Sequence, residues 1–97
     1  MRMLMRVTMQ VEQANKAFKD GTLQKTMQSS LEALKPEAAY FGAIDGARTG
    51  LIFFDLKDVS DLPRIAEPFF HNFNATVEFC PVMNGDDLRA GMGKVQL

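Results

Sequence analysis

The sequence is 97 residues long, with 46% hydrophobic and 24% charged side chains and a formal net charge of −1. This length accommodates one domain, which we take as residues 1–97, and the composition excludes a disordered chain. The balance of 11 basic and 12 acidic residues gives no basic surface of the kind that binds nucleic acid or an anionic membrane.

The cysteine count limits the chemistry of the chain. The single cysteine, Cys80, excludes an internal disulfide and a multi-cysteine zinc site. It alternates with core residues, so we predict a small buried hydrophobe. We find no metal or cofactor motif and predict neither group.

The composition also bears on the location of the protein. One thiol and seven methionines fit a reducing cytoplasm, where we place the protein. The apolar N-terminal stretch is interrupted by Arg6, which predicts neither a signal peptide nor a membrane span.

The N-terminal third contains a strand followed by helix. Residues 2–10 alternate between apolar and polar side chains, the period of a strand with one buried face. Residues 11–35 change to a helical period that is interrupted at Gly21, which predicts two helical pieces or one kinked helix. Pro36 ends the helical run, because the residue before a proline disfavours the α region.

The centre of the chain is predicted to be a β-hairpin over residues 38–56. Two apolar, aromatic runs flank the dipeptide Asp45-Gly46. Asp-Gly is a strong hairpin signal, because two-residue turns need a positive φ that glycine accepts without strain.

The last part of the chain completes a β-α-β-β-α-β order. Residues 58–73 have a helical period, residues 75–83 alternate, and residues 84–92 begin like a short helix with acids in the first turn. This order predicts an α+β, ferredoxin-like fold with a four-stranded antiparallel sheet and both main helices on one face. Residues 84–97 either fold back over their own sheet or cover that of a partner.

The third strand predicts a homodimer or a higher even oligomer. It is apolar on both parities, with Leu51 and Phe53 on one side and Ile52 and Phe54 on the other, whereas a strand with one wet face should alternate. Leaving two such side chains exposed would cost roughly 1.5–3 kcal/mol each. We assign Ile52 and Phe54, with Leu4, to an interface on the sheet face opposite the helices, here called the open face. The alternative cover is the C-terminal helix.

Four residues are candidates for a ligand site. Arg6 and Glu78 should be neighbours on the open face, where a structural ion pair is the interpretation we favour. In the functional alternative, Arg6 orients an anionic or carbonyl ligand and Glu78 moves a proton. Tyr40 is a core or interface residue, or a hydrogen-bond donor to a ligand. His71 is an exposed helix-end residue, or a general base at a pocket mouth.

The chain resembles the dimeric α+β barrel superfamily, and within it looks closest to small bacterial families of unknown function. The resemblance runs from Met3 to Met92 and rests on the stretches YFGAI at 40–44, GLIFFD at 50–55, IAEPFF at 65–70 and VEFCPVM at 77–83. These stretches concern fold rather than chemistry. The superfamily includes cofactor-independent monooxygenases, muconolactone isomerases and ligand-binding or regulatory domains. The muconolactone isomerases are similar in length and strand order, and we place none of their catalytic residues on a position here.

Several functions therefore remain as hypotheses. The first is a homodimeric protein that binds a small organic molecule between the open face and the second main helix, which is predicted at residues 58–73. The alternative is a dimeric interaction or regulatory module without chemistry of its own. A further alternative is an enzyme resembling muconolactone isomerase or a cofactor-independent monooxygenase. The choice between enzyme and binding protein stays open, since fold-level resemblance does not establish a reaction.

Overall fold

The structure, a computed structural model, describes residues 1–97. The elements in chain order are β1 (Arg2–Thr8), α1 (Val11–Asp20), α2 (Thr22–Leu34), β2 (Ala38–Ile44), β3 (Ala47–Asp55), a 3₁₀ turn (Val59–Asp61), α3 (Leu62–Phe73), β4 (Thr76–Pro81) and α4 (Gly85–Met92). The strand order is β2-β3-β1-β4 and every neighbouring pair is antiparallel. The predicted ferredoxin-like α+β fold is confirmed. None of the helices has the length and apolar character needed to span a membrane.

The predicted interruption at Gly21 divides the first helical region into α1 and α2. Gly21 has a φ of 86° and serves as the C-cap of α1 and the N-cap of α2. This left-handed conformation carries no steric penalty in glycine. The Asp20 carboxylate accepts a 2.8 Å hydrogen bond from the Thr22 N–H, which satisfies one of the free donors at the start of α2.

The hairpin turns at the predicted dipeptide. Asp45 and Gly46 both have positive φ, 53° and 77°, and Ile44 pairs directly with Ala47. A two-residue turn with this geometry matches the right-handed twist of the strands that it joins. The turn therefore fixes the register of β2 against β3.

The helix predicted over residues 58–73 starts at Leu62, four residues after its predicted start. Asp58 accepts hydrogen bonds from the N–H and the hydroxyl of Ser60, and so caps the 3₁₀ turn rather than α3. The helix starts at Leu62, with Pro63 in its first turn, where a missing N–H does no harm. It ends at Phe73, and its C-cap Asn74 adopts a left-handed φ of 46°.

The C-terminal helix forms as predicted but does not cover its own sheet. A capping box at Asn84 and Asp87 starts α4, with the Asp87 N–H 2.8 Å from the Asn84 Oδ1. Every residue of α4 except Gly91 is exposed. The molecule is elongated, with principal extents of 54 × 27 × 19 Å.

The core lies between the sheet and α1, α2 and α3, on the face that we call the covered face. β1 contributes its alternate side chains Met3, Met5 and Val7. The other residues of the buried cluster are mainly branched or aromatic. The buried cluster is Met3, Met5, Val7, Met9, Ala14, Ala17, Ile52, Phe54, Leu56, Ile65, Phe69 and Phe73.

The assignment of Ile52 and Phe54 to the open face is wrong. Ile52 pairs with Met5 and Phe54 with Met3, so both lie on the covered face with 0% and 1% of their surface exposed. Side chains alternate with a period of two, so a phase error of one residue exchanges the faces of an entire strand. The open face carries Leu51 and Phe53 instead; Leu4 is on the open face as predicted, opposite Phe53.

Asp55, at the end of β3, provides a test of acid stability. Hydrogen bonds from the Met1 ammonium at 2.7 Å and from Lys57 at 2.9 Å lower its pKa to about 2. A depressed pKa stabilises the fold above the ordinary value of 3.8, and the contribution is lost as the pH falls from 3.8 towards 2. We expect a carboxyl ¹³C titration to report this pKa, and Lys57→Gln to raise it. An Asp55 pKa near 3.8 in the wild type would contradict these contacts.

Candidate functional site

The open face is organised in rows that run across the four strands. One row consists of Glu78, Arg6, Leu51 and Tyr40, which are successive partners on β4, β1, β3 and β2. Directly paired residues point to the same side of a sheet. Three of the four predicted ligand-site residues therefore share one row, with Leu51 between Arg6 and Tyr40.

Arg6 and Glu78 form an ion pair at the β4 end of this row. Arg6 Nε is 3.4 Å from Glu78 Oε1, and about half of each side chain is exposed. The Nε atom is inaccessible to solvent and makes no hydrogen bond in this structure. The ion pair is therefore loose, and the guanidinium keeps donors for a further acceptor.

The adjacent row of the open face is largely apolar. It runs through Cys80, Leu4, Phe53 and Ala38. Leu4 and Phe53 are half-buried, and Cys80 is exposed, which corrects its prediction as a buried hydrophobe. The alternation of β4 gives no information on whether the face that carries Cys80 is covered.

Tyr40 lies at the margin of the open face. It sits on the edge strand β2, and 63% of its surface is exposed. Two strand spacings separate its backbone from that of Arg6, about 10 Å. Neither Tyr40 nor the Arg6–Glu78 pair lines any cleft of this chain. The row is an exposed sheet surface and not a pocket.

His71 is not part of this arrangement. It lies near the end of α3, where its Nε2 is 2.9 Å from Glu67 Oε2 and its side chain is 78% exposed. Because α3 packs on the covered face, no pocket between α3 and the open face exists within one chain. No group of three or more His, Cys, Asp or Glu side chains is placed to hold a metal ion.

One concave site lies between α2 and α3, and we call it the α2–α3 cleft. Its volume is about 360 Å³, at the small end of the range of ligand sites. The two helices are antiparallel. Thr26 is hydrogen-bonded to Asn72 at one end of the cleft, and Leu34 and Ile65 line the other end, which adjoins a neighbouring cleft. The lining residues are Lys25, Thr26, Ser29, Ser30, Ala33, Leu34, Arg64, Ile65, Pro68 and Asn72.

Six of the ten residues that line the α2–α3 cleft are polar or charged, and both charged ones are cations. Asn72 Nδ2 donates a 2.9 Å hydrogen bond to Thr26 Oγ1 at the interface of the helices. Lys25 and Arg64 belong to opposite ends of the cleft, and the lining contains no carboxylate. The only acidic neighbour in an ion pair is Asp61, 3.5 Å from Arg64 Nη2. This arrangement favours an anionic occupant.

The sequence analysis missed the α2–α3 cleft. The signal that could have located it is a polar stripe beside the apolar stripe of α2: Thr26 and Ser30 are four residues apart, and Lys25 and Ser29 repeat the spacing. Such spacing places them on one helix face. The sequence does not say that Asn72 faces this stripe, because that depends on how α2 and α3 cross.

The chain was also compared with known proteins. No protein-family model matches it, and no curated protein matches it significantly. The structure thus supports the ferredoxin-like fold, whereas the narrower dimeric-barrel resemblance stays a prediction.

Proposed function

We propose that this protein is a homodimer that binds a small organic anion in the α2–α3 cleft of each subunit. The observation that carries the proposal is the composition of the cleft. Its lining contains two cations, Lys25 and Arg64, and several hydroxyl and amide groups, but no carboxylate. In a site that is partly shielded from water, such a set of donors favours a carboxylate or phosphate group.

The geometry of the cleft narrows the class of ligand. Thr26 and Leu34 lie about two helical turns apart, which is about 12 Å along the axis of α2. Lys25 and Arg64 belong to these two ends, so an elongated ligand with an acidic group at each end would meet both cations. A dicarboxylate of four to six carbons is the simplest such molecule. The lining offers neither a carboxylate nor a histidine for proton transfer, so the arrangement supports binding more directly than catalysis.

Dimerisation through the open face is the second part of the proposal. Leu4, Leu51 and Phe53 form an apolar patch there, next to the Arg6 guanidinium. A second copy would cover this patch in a two-fold arrangement, with the same surface used on both subunits. The exposed Cys80 thiol would be enclosed with it, which agrees with the reducing cytoplasm that we propose as its location.

One observation favours the second candidate, a dimeric interaction module without a ligand. Arg6, Glu78 and Tyr40 lie on a sheet surface rather than in a cleft, which is the form expected of a polar element within a protein–protein interface. In this alternative the Arg6–Glu78 pair has a structural role, and the α2–α3 cleft remains without an occupant.

Anion titration followed by amide NMR tests the ligand proposal. We expect succinate, glutarate or adipate to shift the amide signals of α2 and α3 at low salt, whereas the matched neutral diamides should not. Lys25→Gln and Arg64→Gln should each weaken binding about tenfold, which corresponds to about 1.4 kcal/mol. Lys16→Gln, at an exposed position of α1 outside the cleft, is the matched control.

Two results would overturn the ligand proposal. An equal response to diacid and diamide would remove the role of charge, and the absence of any shift at millimolar diacid would leave the interaction module as the better candidate. Sedimentation of the same samples decides separately whether the protein is a dimer.

A further inference from the structure

The C-terminal helix α4 presents an apolar stripe that nothing in its own chain covers. Leu88 and Met92 are one helical turn apart and are 51% and 65% exposed. Val95 continues the spacing just after the helix and is also exposed. Apolar residues at i, i+4 and i+7 are typical of a helix that packs into a groove. The capping box at Asn84 stabilises the start of α4 with hydrogen bonds from within its own chain.

A groove of matching apolar character lies between α2 and the edge strand β2, and we call it the β2-edge cleft. Its volume is about 530 Å³. Phe41 lies over Gly50, where an added Cβ would be 3.3 Å from the ring, and more than half of the Phe41 surface remains exposed. The apolar part of the lining is Met9, Leu23, Met27, Leu31 and Phe41.

The α4 helix lies far from the β2-edge cleft of its own chain. Its Asp87 is beside Arg2, the first residue of β1, whereas the cleft is lined by Met9, just past the other end of that strand, and the two positions are about 23 Å apart along the strand. An ion pair between Asp87 and Arg2, at 3.4 Å, holds the start of α4 beside β1. An occupant of the cleft with the character of α4 must therefore come from another chain.

The area of the open face gives an independent reason for a second contact. The four strands are 7, 7, 9 and 6 residues long and together cover roughly 460 Å², since strands are about 4.8 Å apart and rise about 3.3 Å per residue. A stable protein interface buries about 800 Å² on each partner. The open face alone supplies about half of that area, and a docked helix from each subunit would supply the remainder.

We propose that α4 of one subunit docks into the β2-edge cleft of a second copy of this chain, which returns the same contact. The inference rests on the proposed homodimer and deepens it. Leu88 and Met92 would lie against Met27, Leu31 and Phe41 of the other copy. In an isologous dimer both contacts form together, so each subunit would be held at the open face and by two exchanged helices.

Sedimentation equilibrium separates this proposal from the open-face dimer. Leu88→Glu is expected to raise the dimer dissociation constant at least about tenfold while the far-UV circular dichroism stays unchanged. Val59→Glu, at an exposed position in the 3₁₀ turn, is the matched control and should have no effect. If Leu88→Glu leaves the dissociation constant unchanged while Phe53→Lys raises it, α4 does not dock and the open-face dimer stands. The reverse result would retain α4 docking and reject the open face. A monomeric wild type at 100 µM would reject both.

Disulfide trapping identifies the position of the contact. In a Cys80→Ser background, a Leu88→Cys chain and a size-tagged Met27→Cys chain are mixed and oxidised. The expected product is a mixed dimer that requires both cysteines. A tagged Val59→Cys chain replaces the Met27→Cys chain in the control. Equal yields from both mixtures would overturn docking at the β2-edge cleft.

Discussion

Replacing Phe54 with alanine should lower the free energy of unfolding by about 3–5 kcal/mol, as is typical of a fully buried phenylalanine. The ring is 1% exposed and packs edge-to-face on Phe79, with 6.4 Å between ring centroids. Its removal costs the transfer free energy of the ring and leaves a cavity between the sheet and the helices. Urea unfolding followed by circular dichroism, with linear extrapolation, measures the loss.

The control for Phe54→Ala is Val59→Ala. Val59 is 71% exposed, so the change in unfolding free energy should stay within about 0.5 kcal/mol. If Phe54→Ala cost less than about 1 kcal/mol, the pairing of Phe54 with Met3 on the covered face would be wrong.

Phe53→Lys is expected to convert the proposed dimer into a folded monomer. The ring lies opposite Leu4 at the centre of the open face, so in the dimer a lysine there would be buried without an opposite charge. Because the proposed interface is two-fold, it contains this substitution once from each subunit, so two lysines would be buried. We expect the dissociation constant to rise at least about a hundredfold, which corresponds to about 2.8 kcal/mol. Sedimentation velocity across a concentration series provides the measurement.

The neighbouring residue supplies the matched control. Ile52 is 0% exposed on the covered face, so Ile52→Lys should unfold the chain and abolish its circular dichroism signal. The pair of variants thus separates the two faces of β3 at adjacent positions. A dimer that survives Phe53→Lys with an unchanged dissociation constant would exclude the open face as the interface.

The local elements could be predicted because each depends on residues that are close in sequence. The alternation of β1 has a single apolar phase, so its buried side was unambiguous. Gly21 and the Asp45-Gly46 turn need positive φ angles, and these positions divide the chain where the structure divides it. The start of α3 was misplaced because Asp58 caps a 3₁₀ turn, which has the same N-terminal signal as an α-helix.

The face assignment of β3 depended on pairing and not on pattern. Leu51, Ile52, Phe53 and Phe54 are all apolar, so the run has no phase from which a buried side can be read. The phase is set by the two-residue turn and by the pairing of Ile52 with Met5, whose side was already known. The two β3 residues assigned to the predicted interface therefore lie on the covered face, and the interface itself stays a prediction.

The sequence by itself determined the order of the elements, the fold class, the core side of β1 and the proximity of Arg6 to Glu78, because these follow from periodicity, turn chemistry and strand order. The tertiary structure decided the location of the concave sites, the separation of His71 from the open face and the exposure of α4. These features depend on how the helices cross and which surfaces they leave uncovered. Packing between distant segments sets both, and no local run of side chains encodes them.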